Sequence, residues 1–345
     1  MRALALEGVG GLEHLGVREL PRPELDAPDD VLVRVHAAAL NRLDLFVADG
    51  LPGVALTFPH IVGSDGAGVV EAVGAGVREL HPGDRVMFNP GLSCGRCPAC
   101  VDGEESLCSS FGVLGEHRSG TAAEYVVLPA VNLAPVPAGM PWPEAAAFSL
   151  ATLTAWRMLT TRAALRAGET VLIWGIGGGV SMAALQVALL LDARAIVTSG
   201  SDAKLELARS RGADATVNHA TADVVSEVRR LTGGRGADVV VDTVGQARWQ
   251  ESLRALRRGG RLTICGATTG PMVSMDLRRL FWHQWSLLGS TLGSRREYAE
   301  IVQLAHQGRL WPLVDRVVPL ADGPAALARL SRGEQMGKLV IEVAT

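Results

Sequence analysis

The stretch from Val171 to Gly200, VLIWGIGGGVSMAALQVALLLDARAIVTSG, decides the fold of this chain. It reads as strand, glycine turn, helix, strand. Val171 to Trp174 are apolar throughout, as in a strand buried on both faces of a parallel sheet. Gly175, Gly177, Gly178 and Gly179 crowd the turn that follows, where a side chain would block close approach to the backbone. A helix is expected from about Val180 to Leu191, with its free N–H groups and dipole directed at the turn. That arrangement is an anion site suited to the pyrophosphate of a dinucleotide. Gly175 and Gly177 fill the first two places of G-x-G-x-x-G, whereas Val180 stands at the third. Taken alone, the pattern is also that of a plain strand-to-helix turn. The run to Leu191 is uncharged, but its four glycines and the charged Asp192 and Arg194 that follow argue against a membrane span.

Outward from that stretch, 345 residues suit two domains, each with its own core. A net charge of −3 and a pI near 6.3 give no basis for binding nucleic acid or an anionic membrane. Met1 to Gly10 lacks the basic start and continuous apolar core of a signal peptide, so a cytoplasmic, reducing compartment is expected. Forty glycines, many beside strands, fit a turn-rich β domain joined to an α/β domain. The chain shows no internal repeat and no low-complexity segment.

Residues 1 to about 130 read as all-β. Asp30 to Val35 alternates, with Val31, Val33 and Val35 on one face. Gly68 to Val73, Asp84 to Phe88 and Glu124 to Leu128 are further short strands between turn residues. Pro137, Pro141 and Pro143 mark a loop before an Ala-rich helix near Glu144, the expected domain boundary. From about 151 to 289 strands and helices alternate. A helix Asp202 to Arg211 closes on Gly212, and strands Asp238 to Asp242 and Arg261 to Ile264 flank a helix Arg248 to Arg257. Such alternation implies a parallel sheet covered on both faces. The tail reads as helices Arg296 to Gln307 and Pro324 to Leu330, with strands Arg316 to Val318 and Leu339 to Val343. Periodicity leaves open whether it closes this sheet or returns to the first domain.

Five cysteines include four in one run, Cys94, Cys97, Cys100 and Cys108, spaced C-x2-C-x2-C-x7-C within a lobe at about 91–110. In a reducing compartment four thiolates at these intervals read as ligands of one tetrahedral zinc rather than as two disulfides. All four ligands come from the protein, so the zinc would be structural, ordering its lobe. An iron–sulfur cluster uses similar ligands and stands as the minor alternative.

The glycine turn, the four-cysteine lobe and their order resemble the medium-chain dehydrogenase/reductase superfamily. RVHAAALN, GSDGAGVV, HPGDRV, GTAAEYVVLP, EAAAFSLATLTAW, GIGGGV, VDTVG and GKLVIEV carry the resemblance over nearly the whole chain. It implies an α/β plus all-β architecture: a GroES-like β domain for substrate, residues 1–150 and 290–345, and a Rossmann domain for NAD(P), residues 151–289. It also implies an active site in the cleft between them and a C-terminal tail that returns to the first domain.

The chain departs from the zinc alcohol dehydrogenases of this superfamily at the catalytic metal. By motif, the three ligand positions fall at Asn41, Ser64 and Leu150, and the proton-relay hydroxyl falls at Leu43. None of the three is a good zinc ligand. Asp44 and Asp65 remain nearby as lone carboxylates. Asn41 and Ser64 are the candidates to hydrogen-bond a substrate carbonyl, with Asp44 and Asp65 as orienting groups or plain turn residues. His117 is read as a surface loop residue rather than a proton donor. The turn and Asn41 are similar to the quinone oxidoreductase branch, whereas the cysteine lobe is closer to the alcohol dehydrogenase branch.

For the nucleotide, the strand end that carries an acid in NAD-specific sites falls at Ser199, followed by Ser201. Small hydroxyls tolerate a 2′-phosphate, and Lys204 offers it a charge, so NADP(H) is expected ahead of NAD(H). Asp202 is the counter-indication if the register slips. His219 falls where the similar quinone oxidoreductase branch has an aromatic residue near the adenosine, and otherwise reads as a loop residue. The resemblance further implies cofactor contacts at Thr154, at Thr243 to Gly245 including Val244, at Cys265 to Ala267 including Gly266, at Ser290 and at Lys338, the last toward the pyrophosphate. Cys265 itself reads as a buried small residue. Trp285 to Thr291 resembles the edge strand that pairs subunits, so a homodimer or dimer-based tetramer is expected. The expected activity is NADPH-dependent reduction of enones, quinones or related carbonyls. The alternatives are an alcohol dehydrogenase with other zinc ligands and a catalytically quiet NADPH-binding protein.

Overall fold

The computed structural model describes residues 1–343, and the chain divides into two compact units, 1–150 with 294–345 and 151–293. The second crossing lies at Ser294 rather than at 290. The first lies within the helix Trp142–Arg157.

In the second unit six parallel strands stand in the order Ala215–Asn218, Arg194–Ser199, Thr170–Ile173, Ala237–Asp242, Leu256–Ile264, Ser286–Gly289. Every residue of Thr170–Ile173 and Ala237–Asp242 is buried, as their apolar content requires of central strands covered on both sides. These two central strands are where the direction of winding reverses, the place at which sheets of this kind bind nucleotides. The helix after the glycine turn runs Gly179–Leu190, and the next runs Asp202–Ser210. The helix expected to reach Arg257 ends at Ala255, and extended chain begins at once in Leu256–Ile264.

In the first unit a seven-stranded sheet is organised on the long strand Asp30–Ala39. It pairs antiparallel with Asp65–Val73, with Tyr125–Pro129 and with Lys338–Glu342. The tail therefore returns to the first unit: Lys338–Glu342 sits between Asp30–Ala39 and Val314–Pro319. Leu4, Leu6, Val31, Val33, Val35, Leu327 and Ile341 meet in one apolar core with the tail helix Gly323–Ser331. A second sheet of Leu15–Glu19, Arg2–Leu6 and His60–Ile61 was not anticipated from the sequence. Among the described residues no helix is long and apolar enough to cross a membrane.

Candidate functional site

The strand register assembles the polar cluster of the first unit. Val340 pairs with Ala39, and Ala39 pairs on its other side with Asp65. Continued antiparallel, that register sets Lys338 across from Asn41. Gly337 precedes Lys338 at φ +112°, and a Cβ there would lie 2.4 Å from Leu313 O, so only glycine lets the chain enter this strand. Lys338 is thereby buried. Its Nζ donates to Asn41 Oδ1 at 2.5 Å and to Asp65 Oδ2 at 2.7 Å. Its ammonium stands beside Asn41 and Asp65, two of the substrate-side candidates.

Asn41 heads the helix Arg42–Asp49. Its Nδ2 donates to Ala39 O at 3.3 Å and to Asp65 Oδ2 at 3.0 Å. Both amide hydrogens are thus engaged, and Asn41 has none left for a substrate carbonyl, contrary to the expectation. Asp65 is fully buried and accepts a further bond on Oδ1 from Leu150 N at 2.7 Å. Asp44 is also buried and accepts from Asn41 N at 2.7 Å and Gly63 N at 2.9 Å. Burial outweighs those two bonds and pushes its carboxyl up to about 6. Ser64 is buried, and its hydroxyl has no partner among the described residues. Nearby, Ser149 and Tyr298 share a buried hydrogen bond of 2.9 Å; burial is the main reason the Tyr298 phenol is raised. His117 is exposed, and its Nδ1 accepts from Val113 N, as suits a loop residue.

The four cysteines converge. Their sulfurs all lie within 4.8 Å of one another, with Cys94–Cys108 and Cys97–Cys100 at 3.5 Å and Cys94–Cys100 at 3.9 Å. Four thiolates about 2.3 Å from one zinc would stand about 3.8 Å apart, so the donor set fits a tetrahedral ion. Backbone N–H groups of Arg96 and Cys97 favour the Cys94 thiolate and bring it down to about 6. Among the described residues this is the one grouping of three or more His, Cys, Asp or Glu side chains able to hold a metal. The lobe is tied to the helix Arg295–His306: Glu105 Oε2 accepts from Arg295 N at 3.2 Å, and Arg295 donates to Ser93 Oγ at 3.2 Å.

In the second unit the expected cofactor residues other than Thr154 and Lys204 stand at or just after the carboxyl ends of the strands. Gly175 and Gly177 have φ of +66° and +110°, which residues with a side chain adopt only with strain. Ser181 folds the turn onto the helix: its Oγ accepts from Gly178 N at 3.1 Å and lies 2.9 Å from Gly175 O. Gly179 and Val180 open the helix, where backbone N–H groups lack intrahelical partners. Ser199 is buried and accepts from Ser201 N at 3.1 Å. Asp202 accepts from Asn218 Nδ2 at 2.7 Å, and Lys204 is half-buried on the same helix.

His219 packs beside Gly200, with Nδ1 3.4 Å from Thr198 Oγ1. Asp242 fixes the next turn by accepting from Val244 N and Gly245 N at 2.8 and 2.9 Å. Thr243 O accepts from Thr268, and Gly266 lies against Thr243 O. Burial pushes the Cys265 thiol up to about 12, which makes it inert. Ser290 N is taken by Ile264 O, while its buried hydroxyl is unpartnered among the described residues. Thr154 is buried on the helix Trp142–Arg157. Sequence reasoning missed Trp174, whose buried Nε1 has no partner among the described residues, and Arg248, whose guanidinium lies 5.3 Å from the Trp174 ring centre.

Comparison with known proteins agrees over both units. The family described as alcohol dehydrogenase GroES-like domain matches residues 27–138, and that described as zinc-binding dehydrogenase matches residues 179–307. An alcohol dehydrogenase of Geobacillus stearothermophilus is 32% identical over 95% of this chain and 96% of its own length. A crotonyl-CoA reductase of Streptomyces avermitilis is 30% identical over 93% of this chain and 80% of its own. A solved structure titled NAD-dependent alcohol dehydrogenase covers all of both chains at 46% identity with a TM-score of 0.96.

Proposed function

The chain belongs to the zinc-containing alcohol dehydrogenase family of the medium-chain dehydrogenase/reductase superfamily, and within it we propose a reductase of enones, quinones or related carbonyls that uses no catalytic zinc. The observation that carries this reading is the buried Asn41–Asp65–Lys338 cluster. Asp65 and Asn41 face an ammonium there, and Ser64 and Leu150 complete a set with no thiolate or imidazole. Alcohol oxidation needs a Lewis acid or a base to take the hydroxyl proton. Reduction of an activated double bond needs a placed hydride, donors to the carbonyl oxygen and a proton from water. A bound nicotinamide supplies that hydride. Gly175 to Val180 and the end of the Arg194–Ser199 strand hold the cofactor. The relative named crotonyl-CoA reductase fits this reading, and those named alcohol dehydrogenase favour the second one, alcohol oxidation with unrecognised zinc ligands.

NADP(H) is the proposed cofactor, because Ser199 and Ser201 leave room for a 2′-phosphate and Asn218 engages Asp202. NAD(H) is the second choice, supported by the name of the solved relative. Cys94, Cys97, Cys100 and Cys108 hold one structural zinc in a reducing, cytoplasmic setting. The edge strand Ser286–Gly289 pairs two copies into a homodimer or dimer-based tetramer; sedimentation checks this.

The deciding experiment measures NADPH oxidation with quinones and cyclic enones, alcohol oxidation with NADP+ and NAD+, and zinc per chain. Enone or quinone turnover that survives a chelator, at one zinc per chain, supports the reductase. Two zincs per chain with chelator-sensitive alcohol oxidation would establish the second reading. Tight NADPH binding without any turnover would leave a binding protein.

A further inference from the structure

Arg248 stands where local stability does not ask for it. It is the residue just before the helix Trp249–Ala255, and its side chain caps none of that helix's N–H groups. A cation at a helix N-terminus opposes the dipole, and arginine is not among the residues that cap. Its backbone is held by the turn after the strand Ala237–Asp242: Arg248 N donates to Gly245 O at 3.0 Å, and Asp242 accepts from Val244 N and Gly245 N. The guanidinium lies 5.3 Å from the centre of the Trp174 ring, and Nη1 donates to both carboxylate oxygens of Glu251 at 2.9 and 3.1 Å. Nε and Nη2 are unengaged among the described residues, and 28% of the side chain stays open to solvent.

Trp174 is also more than a core filler. It is buried and its N–H is unpartnered among the described residues, so a phenylalanine would fill the space without that cost. What the indole adds is the best cation–π face of the aromatic side chains. His219 stands 6.2 Å from the same ring, tilted by 44°. A Cβ at Gly200 would lie 3.3 Å from His219 Nε2, so a side chain just after Ser199 would crowd the imidazole. All these groups follow the carboxyl ends of neighbouring strands and belong to the second unit. With a pyrophosphate on the Gly175–Val180 turn and the ribose at Ser199, the adenine of a dinucleotide would lie beyond the ribose, between Gly200 and His219 and the Val244–Arg248 turn.

We propose that Arg248 recognises the adenine ring of the cofactor: its guanidinium, backed by Trp174 and held by Glu251, lays its open face on the purine, with His219 at the ring's edge. The inference rests on the dinucleotide reading above but not on the choice between NADP(H) and NAD(H), which share the adenine. A planar cation on a purine gains from both stacking and charge. Glu251 fixes the guanidinium beforehand, so little side-chain freedom is lost on binding.

The test uses the full chain. Dissociation constants for NADPH and NADH are measured by nicotinamide fluorescence, and those for 5′-AMP, 2′,5′-ADP and nicotinamide mononucleotide by displacement of NADPH. Arg248→Ala is expected to weaken NADPH, NADH, 5′-AMP and 2′,5′-ADP by one common factor of about ten, and to leave nicotinamide mononucleotide within about twofold. Arg248→Lys keeps the charge but not the plane, and its affinities are expected to lie closer to those of Arg248→Ala than to the parent. Trp174→Phe, which leaves a weaker face under the guanidinium, is expected to lose about two- to threefold with the same ligands. Melting of each variant without ligand checks that the fold is kept. Loss confined to NADPH and 2′,5′-ADP would assign Arg248 to the 2′-phosphate and overturn the stacking. Equal weakening of nicotinamide mononucleotide would reveal a general disturbance of the unit and overturn it as well, and so would unchanged affinities for all the adenine ligands. A parent that binds neither NADPH nor NADH defeats the dinucleotide reading itself, and the role of Arg248 with it.

Discussion

The cysteine lobe and the Asp65 cluster are both knots of polar side chains, but they are tied by opposite means. In the lobe, Cys94 and Cys108 are 14 residues apart and meet through a local loop. In the cluster, Lys338 is 297 residues from Asn41 and 273 from Asp65, and strand register brings them together. The lobe gathers like groups that repel once ionised and need a cation from outside. The cluster carries its own cation and is complete within the chain. Closing a short loop costs little entropy, so a local site can hang on the surface. A long-range site exists only where the sheet already fixes both ends.

The sharpest way to break this contrast is to remove a ligand from each. Cys97→Ser should empty the lobe of zinc and lower stability by several kcal/mol, since structural zinc binding is itself folding energy. Zinc analysis and urea unfolding check it; unchanged zinc content would mean that the four thiols hold no ion. Asp65→Asn should leave the Lys338 ammonium without its counter-charge and cost about 3–5 kcal/mol. Adding Lys338→Met should return much of that loss, and the urea midpoints of the single and double variants decide.

Asp44 supplies a pH test confined to the cluster. Its folded carboxyl is raised to about 6, above the ordinary Asp value. The fold therefore favours the protonated form, and this contribution to stability is present at acid pH and lost as pH rises through about 6. The stability advantage of the parent over Asp44→Asn should be larger at pH 5 than at pH 7.5 by about 1 kcal/mol. Equal differences at both pH values would show that the group is not held neutral. The smallest effect belongs to the tie between lobe and helix. Glu105→Gln should cost about 1 kcal/mol through its bond to Arg295 N, with faster amide exchange confined to the lobe and the start of the helix Arg295–His306.

The same contrast explains what was legible in the sequence. The cysteine spacing displays its site because all four ligands lie in one loop. The strand–turn–helix of the second unit was legible because period and glycines are local signals, and Thr170–Ile173 and Gly179–Leu190 stand close to where they were read. Arg2–Leu6 escaped because four of its five residues are buried, which erases alternation. Asn41 and Ser64 were marked by motif position, but the direction of the Asn41 amide depends on Lys338, which no window around Asn41 contains. The partners of Lys338 were illegible for the same reason: its neighbours in sequence say nothing of the strand across from it.

The late position of Lys338–Glu342 also orders biosynthesis. On a translating ribosome, Asp30–Ala39 and Asp65 emerge long before the strand that completes their sheet. Until then Ala37–Ala39 lacks a partner on the edge that Tyr125–Pro129 covers only as far as Arg34, and Asp65 has no ammonium, so the first unit keeps a short open edge. The intervening residues of the second unit have all their own sheet partners by Gly289 and need none from the tail. The segment begun first is thus finished last, and a nascent chain stalled before residue 338 would present that open edge to chaperones.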